Sequence, residues 1–270
     1  MACDLAEEDA AQHLIDAALR HFGQIDILVN NAGVIRVGPL ASAGPPDFEA
    51  ALGIMTMAPV RATYAALPHM RARQHGRIVN ISSIGGKVSV PHLLPYSVAK
   101  FGAVAFSEGL RAELGSGPVT VTTVVPGLMR TGSQERAEFG GRREAEYTWF
   151  ALAASLPLLS MDAEQAGRQI VAAITQRRAE VILTPAGQLV ARSAAIAPSL
   201  TAAALHLATA LLPSSEGSRS QATGLNLRPA MSSALFGWLT AQGRRAAERF
   251  NEVPGQQAGP ASAGPGGTDS

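Results

Sequence analysis

The sequence predicts an α/β chain built on a parallel sheet. Short runs of Val, Ile and Leu alternate with stretches of helical spacing through the first 185 residues, and turn residues close most runs. The runs are almost continuously apolar, as strands buried on both faces require. Strands of about five residues separated by helices point to βαβ crossovers.

Leu5, Ala11, Leu14, Ile15, Ala18, Leu19 and Phe22 recur at three and four, which predicts a helix over Asp4–Phe22, stopped by Gly23. Ile25–Val29 reads as a strand closed by Asn30-Asn31-Ala32-Gly33. Phe48–Arg73 carries helical spacing despite Pro59, and Arg77–Ile81 is the second strand. Pro95 introduces a helix over Tyr96–Leu114, and Val119–Val125 is a strand stopped by Pro126-Gly127. Residues 132–160 read as a long irregular stretch; a helix over Asp162–Arg178 and a strand over Glu180–Leu183 follow. Leu200–Leu212 and Met231–Phe250 look helical. The expected organisation is a domain over residues 1–190, a helical extension over 191–252 and a disordered tail over 253–270, where Pro and Gly crowd without apolar periodicity.

The 270 residues are 47% apolar and 16% charged, against about 25% charged in an average domain, so a substantial core is expected. Lys+Arg 22 against Asp+Glu 21 leaves no basic field for nucleic acid. Cys3 alone forms no internal disulfide, and the first residues carry no signal-peptide pattern, which predicts a reducing cytoplasm. The longest uncharged run, Ser193–Ser215, is interrupted by Pro198, His206 and Pro213, and reads as a buried helix or an oligomer contact rather than a membrane span.

Each candidate motif is weak alone. Asn-Asn-Ala-Gly and Pro-Gly are ordinary turns, and Ser82-Ser83 could cap a loop. Tyr96-x-x-x-Lys100 is stronger, because the chain has three tyrosines and only two lysines, Lys87 and Lys100. Residues i and i+4 share a helix face, so phenol and ammonium can act on one site. The order adds to this. A turn ends one strand, Ser83 follows the next, Tyr96 comes 13 residues later, and Pro-Gly ends the strand after. In a parallel sheet all of these fall at the carboxyl edge, where open α/β sheets bind ligands.

In this set of motifs, from about Asp4 to Pro185, the chain resembles the classical short-chain dehydrogenase/reductase family. The resemblance implies a Rossmann-like doubly wound parallel sheet, NAD or NADP as cofactor, and hydride transfer between an alcohol and a carbonyl. It assigns Tyr96 as general acid/base, Lys100 as its activator and a ribose ligand, and Ser83 as the partner of the substrate oxygen. Asn31, Ala32 and Gly33 would lie along the cofactor, Met129 and Thr131 after Pro126-Gly127 would hold its nicotinamide end, and Asp4 would contact adenine. The ammonium is expected to pull the phenol below its ordinary pKa of about 10. No metal is expected, since one cysteine and scattered histidines make no ligand set.

Two departures stand out. The family's opening strand, its Gly-x-x-x-Gly-x-Gly turn and the following helix find no counterpart, so the expectation is an N-terminally truncated domain whose Ile25–Val29 strand is an exposed apolar edge. The helical asparagine that supports a proton-relay water in the family is replaced by Met55, with Thr56 beside it as a possible water ligand. The leading reading is an NAD(P)-dependent oxidoreductase acting on a small, apolar alcohol or carbonyl. The alternative is a non-catalytic remnant serving as scaffold or oligomer partner. A serine hydrolase is disfavoured, because Ser82-Ser83-Ile84-Gly85 is not a Gly-x-Ser-x-Gly elbow. Phe139, Tyr147, Trp149 and Phe150 either face an apolar ligand or pack their loop down.

Overall fold

The computed structural model describes residues 2–156, 160–214, 218–227 and 240–250. At its centre is a parallel sheet in the order β1 (Ile27–Asn30), β3 (Gly76–Ile81), β4 (Val119–Val125), β8 (Glu180–Ile182). The register sets Val29 beside Val79 and Ile81 beside Val124. Strand alternation sends Ile78, Val119 and Val121 to one face, where they pack on Ile15 of α1 (Ala10–Phe22) and on Ala66 and Met70 of α3 (Ala58–Ala72). Val79, Ile81 and Val124 face the other way, against Ala166 and Ile174 of α6 (Ala163–Thr175). Helices on both faces make this the doubly wound, Rossmann-like sheet the sequence predicts.

The helix expected over Phe48–Arg73 is one continuous rod, α2 (Pro45–Leu52) running through a π turn at Gly53–Met57 into α3. By length and composition Pro45–Ala72 could cross a membrane. In this fold it buries Ala51, Met55, Ala58, Ala62, Ala66 and Met70. The helix predicted from Tyr96 is α4 (Leu94–Leu114), with Pro95 in its first turn. Asp162 caps α6, accepting from the Glu164 and Gln165 N–H groups.

Several expectations need correction. Residues 132–160 are not irregular. They contain β6 (Glu138–Gly141) and α5 (Arg143–Ser155), held by edge-to-face packing of Phe139 on Tyr147 and Phe150 at 5.4 and 6.0 Å. Nor is the segment beyond residue 190 wholly helical: β9 (Ser218–Thr223) pairs antiparallel with β6, which pairs with β2 (Arg36–Val37). A third small pair joins β5 (Leu128–Arg130) to β7 (Ser160–Asp162). The uncharged run is not a buried helix either. It spans the end of α7 (Pro185–Ile196) and α8 (Pro198–Thr209), and α8 buries none of its residues, with Leu200 and Leu207 exposed. Of the helix expected over Met231–Phe250, Ala241–Arg249 is present, while residues 231–239 and the 253–270 tail lie outside the described residues. The expected open edge is seen at β1, which pairs only with β3 among the described residues and leaves Ile27 and Val29 nearly half exposed.

Candidate active site

The carboxyl ends of β1, β3 and β4 open onto a cavity of about 340 Å³, within the ~300–1,000 Å³ usual for small-ligand sites. Asn31, Gly33, Ser83, Tyr96, Lys100, Pro126, Gly127, Met129 and Thr131 all line it. Ala32 and Asp4 do not: Asp4 is exposed, and its carboxylate accepts from the Ala6 N–H at 2.9 Å within its own turn.

The catalytic candidates are held by backbone contacts the motifs do not reveal. Ser82 donates to the Lys100 carbonyl at 3.0 Å, and Thr56 donates to that of Ala99 at 2.8 Å. Thr56 is thereby tied to α4 through its hydroxyl proton. Met55 is buried in the asparagine's place against Ala51 and Ala99. A buried polar chain fixes the same helix to the sheet: Asn30 donates to Asn80, Asn80 to Ser107 and Thr123 to Ser107, at 2.7 to 3.1 Å. Ser107 lies two turns beyond Lys100 on α4, so these bonds set the depth at which Lys100 enters the site. Polar residues inside apolar strands are the signal that could have found this chain.

The Gly85 N–H donates to Ser83 Oγ at 3.1 Å, which leaves the serine hydroxyl free to donate to the Tyr96 oxygen. Burial raises the Tyr96 pKa above its ordinary 10, and the Ser83 hydrogen bond opposes this without cancelling it. The expected depression of the phenol is therefore reversed. Lys100 Nζ donates to the Ile81 carbonyl at 2.8 Å and lies 5.8 Å from the Tyr96 ring centre; burial lowers its pKa to about 8. At neutral pH the site holds a neutral phenol beside a mostly charged lysine. Two glycines let the backbone come close. A Cβ on Gly33 would stand 3.3 Å from Met55 Sδ and 3.8 Å from Lys100 Nζ, and one on Gly86 only 2.6 Å from the Lys100 carbonyl oxygen.

The outer wall is apolar: Ile35, Val90, Leu93, Trp149, Phe150 and Ala154. The four aromatics divide between the two roles left open by the sequence. Phe139 and Tyr147 are packed in the core, while Trp149 and Phe150 line the cavity. Sequence reasoning missed His92 and Glu146 behind this wall. Glu146 is fully buried with an oxygen 2.8 Å from His92 Nδ1, and His92 has φ of 62°. Such a backbone costs a non-glycine residue about 1–3 kcal/mol. Among the described residues no group of His, Cys, Asp or Glu is arranged to hold a metal ion.

A doubly wound sheet with Ser83, Tyr96 and Lys100 lining a cavity at its carboxyl edge defines a Rossmann-like α/β fold. The chain belongs to the short chain dehydrogenase family, which matches over residues 1–139. It is 30% identical over 198 residues to dehydrogenase/reductase SDR family member 7B of Bos taurus, covering 73% of this chain and 59% of that one. It is 35% identical over 147 residues to short-chain reductase protein NovJ of Streptomyces niveus, covering 54% and 56%. Among solved structures, a short chain dehydrogenase/reductase from Burkholderia phymatum in complex with NAD superposes with a TM-score of 0.65 at 24% identity, covering 74% of this chain and 75% of that one. The chain spans between about half and two thirds of the length of the curated relatives it matches first.

Proposed function

We propose that this chain is an NAD- or NADP-dependent oxidoreductase that interconverts a carbonyl and an alcohol, with Tyr96 as general acid/base. The observation that carries the reading is the convergence of Ser83, Tyr96 and Lys100 on one cavity. Family membership and the oxidoreductases among the relatives support it.

The donor set suits a nicotinamide riboside. Lys100 has ammonium hydrogens beyond the one given to Ile81, Asn31 and Thr131 add polar groups, and Pro126, Gly127 and Met129 form an apolar floor. When bound, the reduced cofactor supplies a hydride, two electrons and a hydrogen nucleus, to the carbonyl carbon. Ser83 orients and polarises the carbonyl oxygen by hydrogen bonding. Tyr96, neutral at pH 7, gives its phenolic proton to the developing alkoxide, which completes the alcohol. Lys100 holds positive charge beside the phenolate left behind and favours its formation. Burial keeps Tyr96 protonated near neutral pH, the form from which it can give a proton to the alkoxide. The apolar outer wall suits a small, uncharged substrate, since Lys100 is the only charged side chain lining the cavity among the described residues.

No Gly-x-x-x-Gly-x-Gly turn occurs within the 270 residues. That fact and the open β1 edge favour one other reading, a scaffold or oligomer partner without turnover. Titration of NADH and NADPH against the purified chain separates them. Saturable binding below millimolar, with ketone-dependent oxidation of the reduced cofactor, is the expected result. Absence of both would support the scaffold.

A further inference from the structure

Glu146 sits in the first turn of α5 with no exposure to solvent, and both of its oxygens are engaged. Oε1 is 2.8 Å from Nδ1 of His92, and Oε2 accepts the indole N–H of Trp149 at 2.7 Å. The two partners come from different parts of the chain and meet on this one carboxylate. His92 precedes Tyr96 by four residues, on the loop that leads into α4, and Trp149 lies one turn along α5 in the apolar wall. His92 is fixed from its other end as well, since its carbonyl accepts from the Gly38 N–H at 2.8 Å.

The backbone of His92 lies in the left-handed region, which glycine occupies freely and histidine does not. A strained residue persists where its surroundings over-determine it. Here the side chain supplies the determination, through a buried bond to a carboxylate 54 residues away. Packing alone would be served as well by an apolar pair, because a buried carboxylate is costly unless both oxygens are satisfied. What the carboxylate adds is direction. It takes the only polar atom of the indole, so a ligand beside Trp149 meets ring carbon and no donor.

We propose that Glu146 and His92 are positioning residues that fix Trp149 relative to Tyr96, and so select substrates with a bulky apolar or aromatic group next to the reacting carbon. The selection rests on the oxidoreductase reading above; the clamp itself does not. Loss of the clamp lets Trp149 turn into the cavity, which penalises large substituents and leaves small ones unaffected.

The test uses the full chain in a Trp238→Phe background, where Trp149 is the remaining tryptophan. Acrylamide quenching of Trp149 and its quenching by bound acetophenone are measured for Glu146→Ala, Glu146→Gln and His92→Gly. Glycine at 92 removes the clamp while relieving the backbone, so it separates lost positioning from lost folding. Expected are greater acrylamide access and acetophenone binding weaker by about tenfold in Glu146→Ala and His92→Gly. Glu146→Gln, which can still accept from Trp149, should stay near the parent. In turnover, KM for acetophenone should rise by about tenfold with kcat within about threefold, while acetone is unaffected. Unchanged acrylamide access in Glu146→Ala overturns the clamp. Equal losses for acetone and acetophenone overturn the selectivity. If the parent turns over neither ketone with either nicotinamide, the oxidoreductase reading fails, and the two quenching measurements still decide the clamp.

Discussion

Lys100 and Tyr96, one helical turn apart on α4, are both shifted away from their charged forms by the same burial. The lysine is 5% exposed and loses its proton near pH 8; the tyrosine keeps its own beyond pH 10. The site therefore has a window, below about pH 8, in which the acid is protonated and the cation beside it is charged.

The first prediction follows from that lysine. Below pH 8 it is charged whether the chain is folded or not, and the native state bears the whole cost of burying the charge. Between about 8 and 10.5 the unfolded chain holds the proton and the folded chain does not. Stability therefore rises with pH across that interval, by up to about 3 kcal/mol. Tyr96 acts in the opposite sense only above pH 10, where the unfolded phenol ionises before the folded one. Urea titrations from pH 7.5 to 9.5 should show rising stability in the parent and a flatter profile in Lys100→Met. Parallel profiles would contradict the buried charge.

Replacing Tyr96 with phenylalanine should lower turnover by about 10²–10⁴-fold, the usual worth of positioned proton transfer. Nicotinamide affinity should change little, because the lost hydroxyl serves the substrate oxygen. Activity within a few-fold of the parent would remove Tyr96 from the mechanism.

Gly86→Ala should be severe for a conservative change. The new methyl would stand 2.5 Å from Ser82 Oγ and 2.6 Å from the Lys100 carbonyl oxygen. Relief requires moving α4 away from β3, so a loss of about 3 kcal/mol is expected. Thermal unfolding measures it, and an unchanged midpoint would mean that this contact is slack.

The β1 edge carries the fourth prediction. Ile27 and Val29 are 46% and 47% exposed beside a strand edge that no other strand pairs among the described residues, an arrangement that invites strand pairing between molecules. Lysine at both positions should suppress concentration-dependent light scattering. Scattering that persists unchanged would move the association to another surface, such as that of α7 and α8.

Much of this molecule is legible in its sequence. Val119–Val125 is a strand with the expected ends, because an apolar run bounded by turn residues has few other readings. Tyr96 and Lys100 are legible because their spacing is a property of the helix itself. Arg36–Val37 is too short to show any period and becomes a strand only through β6, about a hundred residues on. Residues 143–155 escape notice because α5 buries Glu146 together with its aromatics, which blurs the contrast between faces. His92 and Glu146 are invisible for a similar reason: a bond across 54 residues leaves no local trace.

The second sheet has a consequence for synthesis. Its strands come from residues 36–37, 138–141 and 218–223, so it closes only after residue 223 has been made. Ser83, Tyr96 and Lys100 sit on elements complete by residue 125, held by mostly nearer neighbours. Contacts distant in the chain bear the larger closure entropy and tend to form late. A nascent chain thus assembles its proton-transfer groups on an open ledge, and the enclosure that would choose among ligands arrives afterwards.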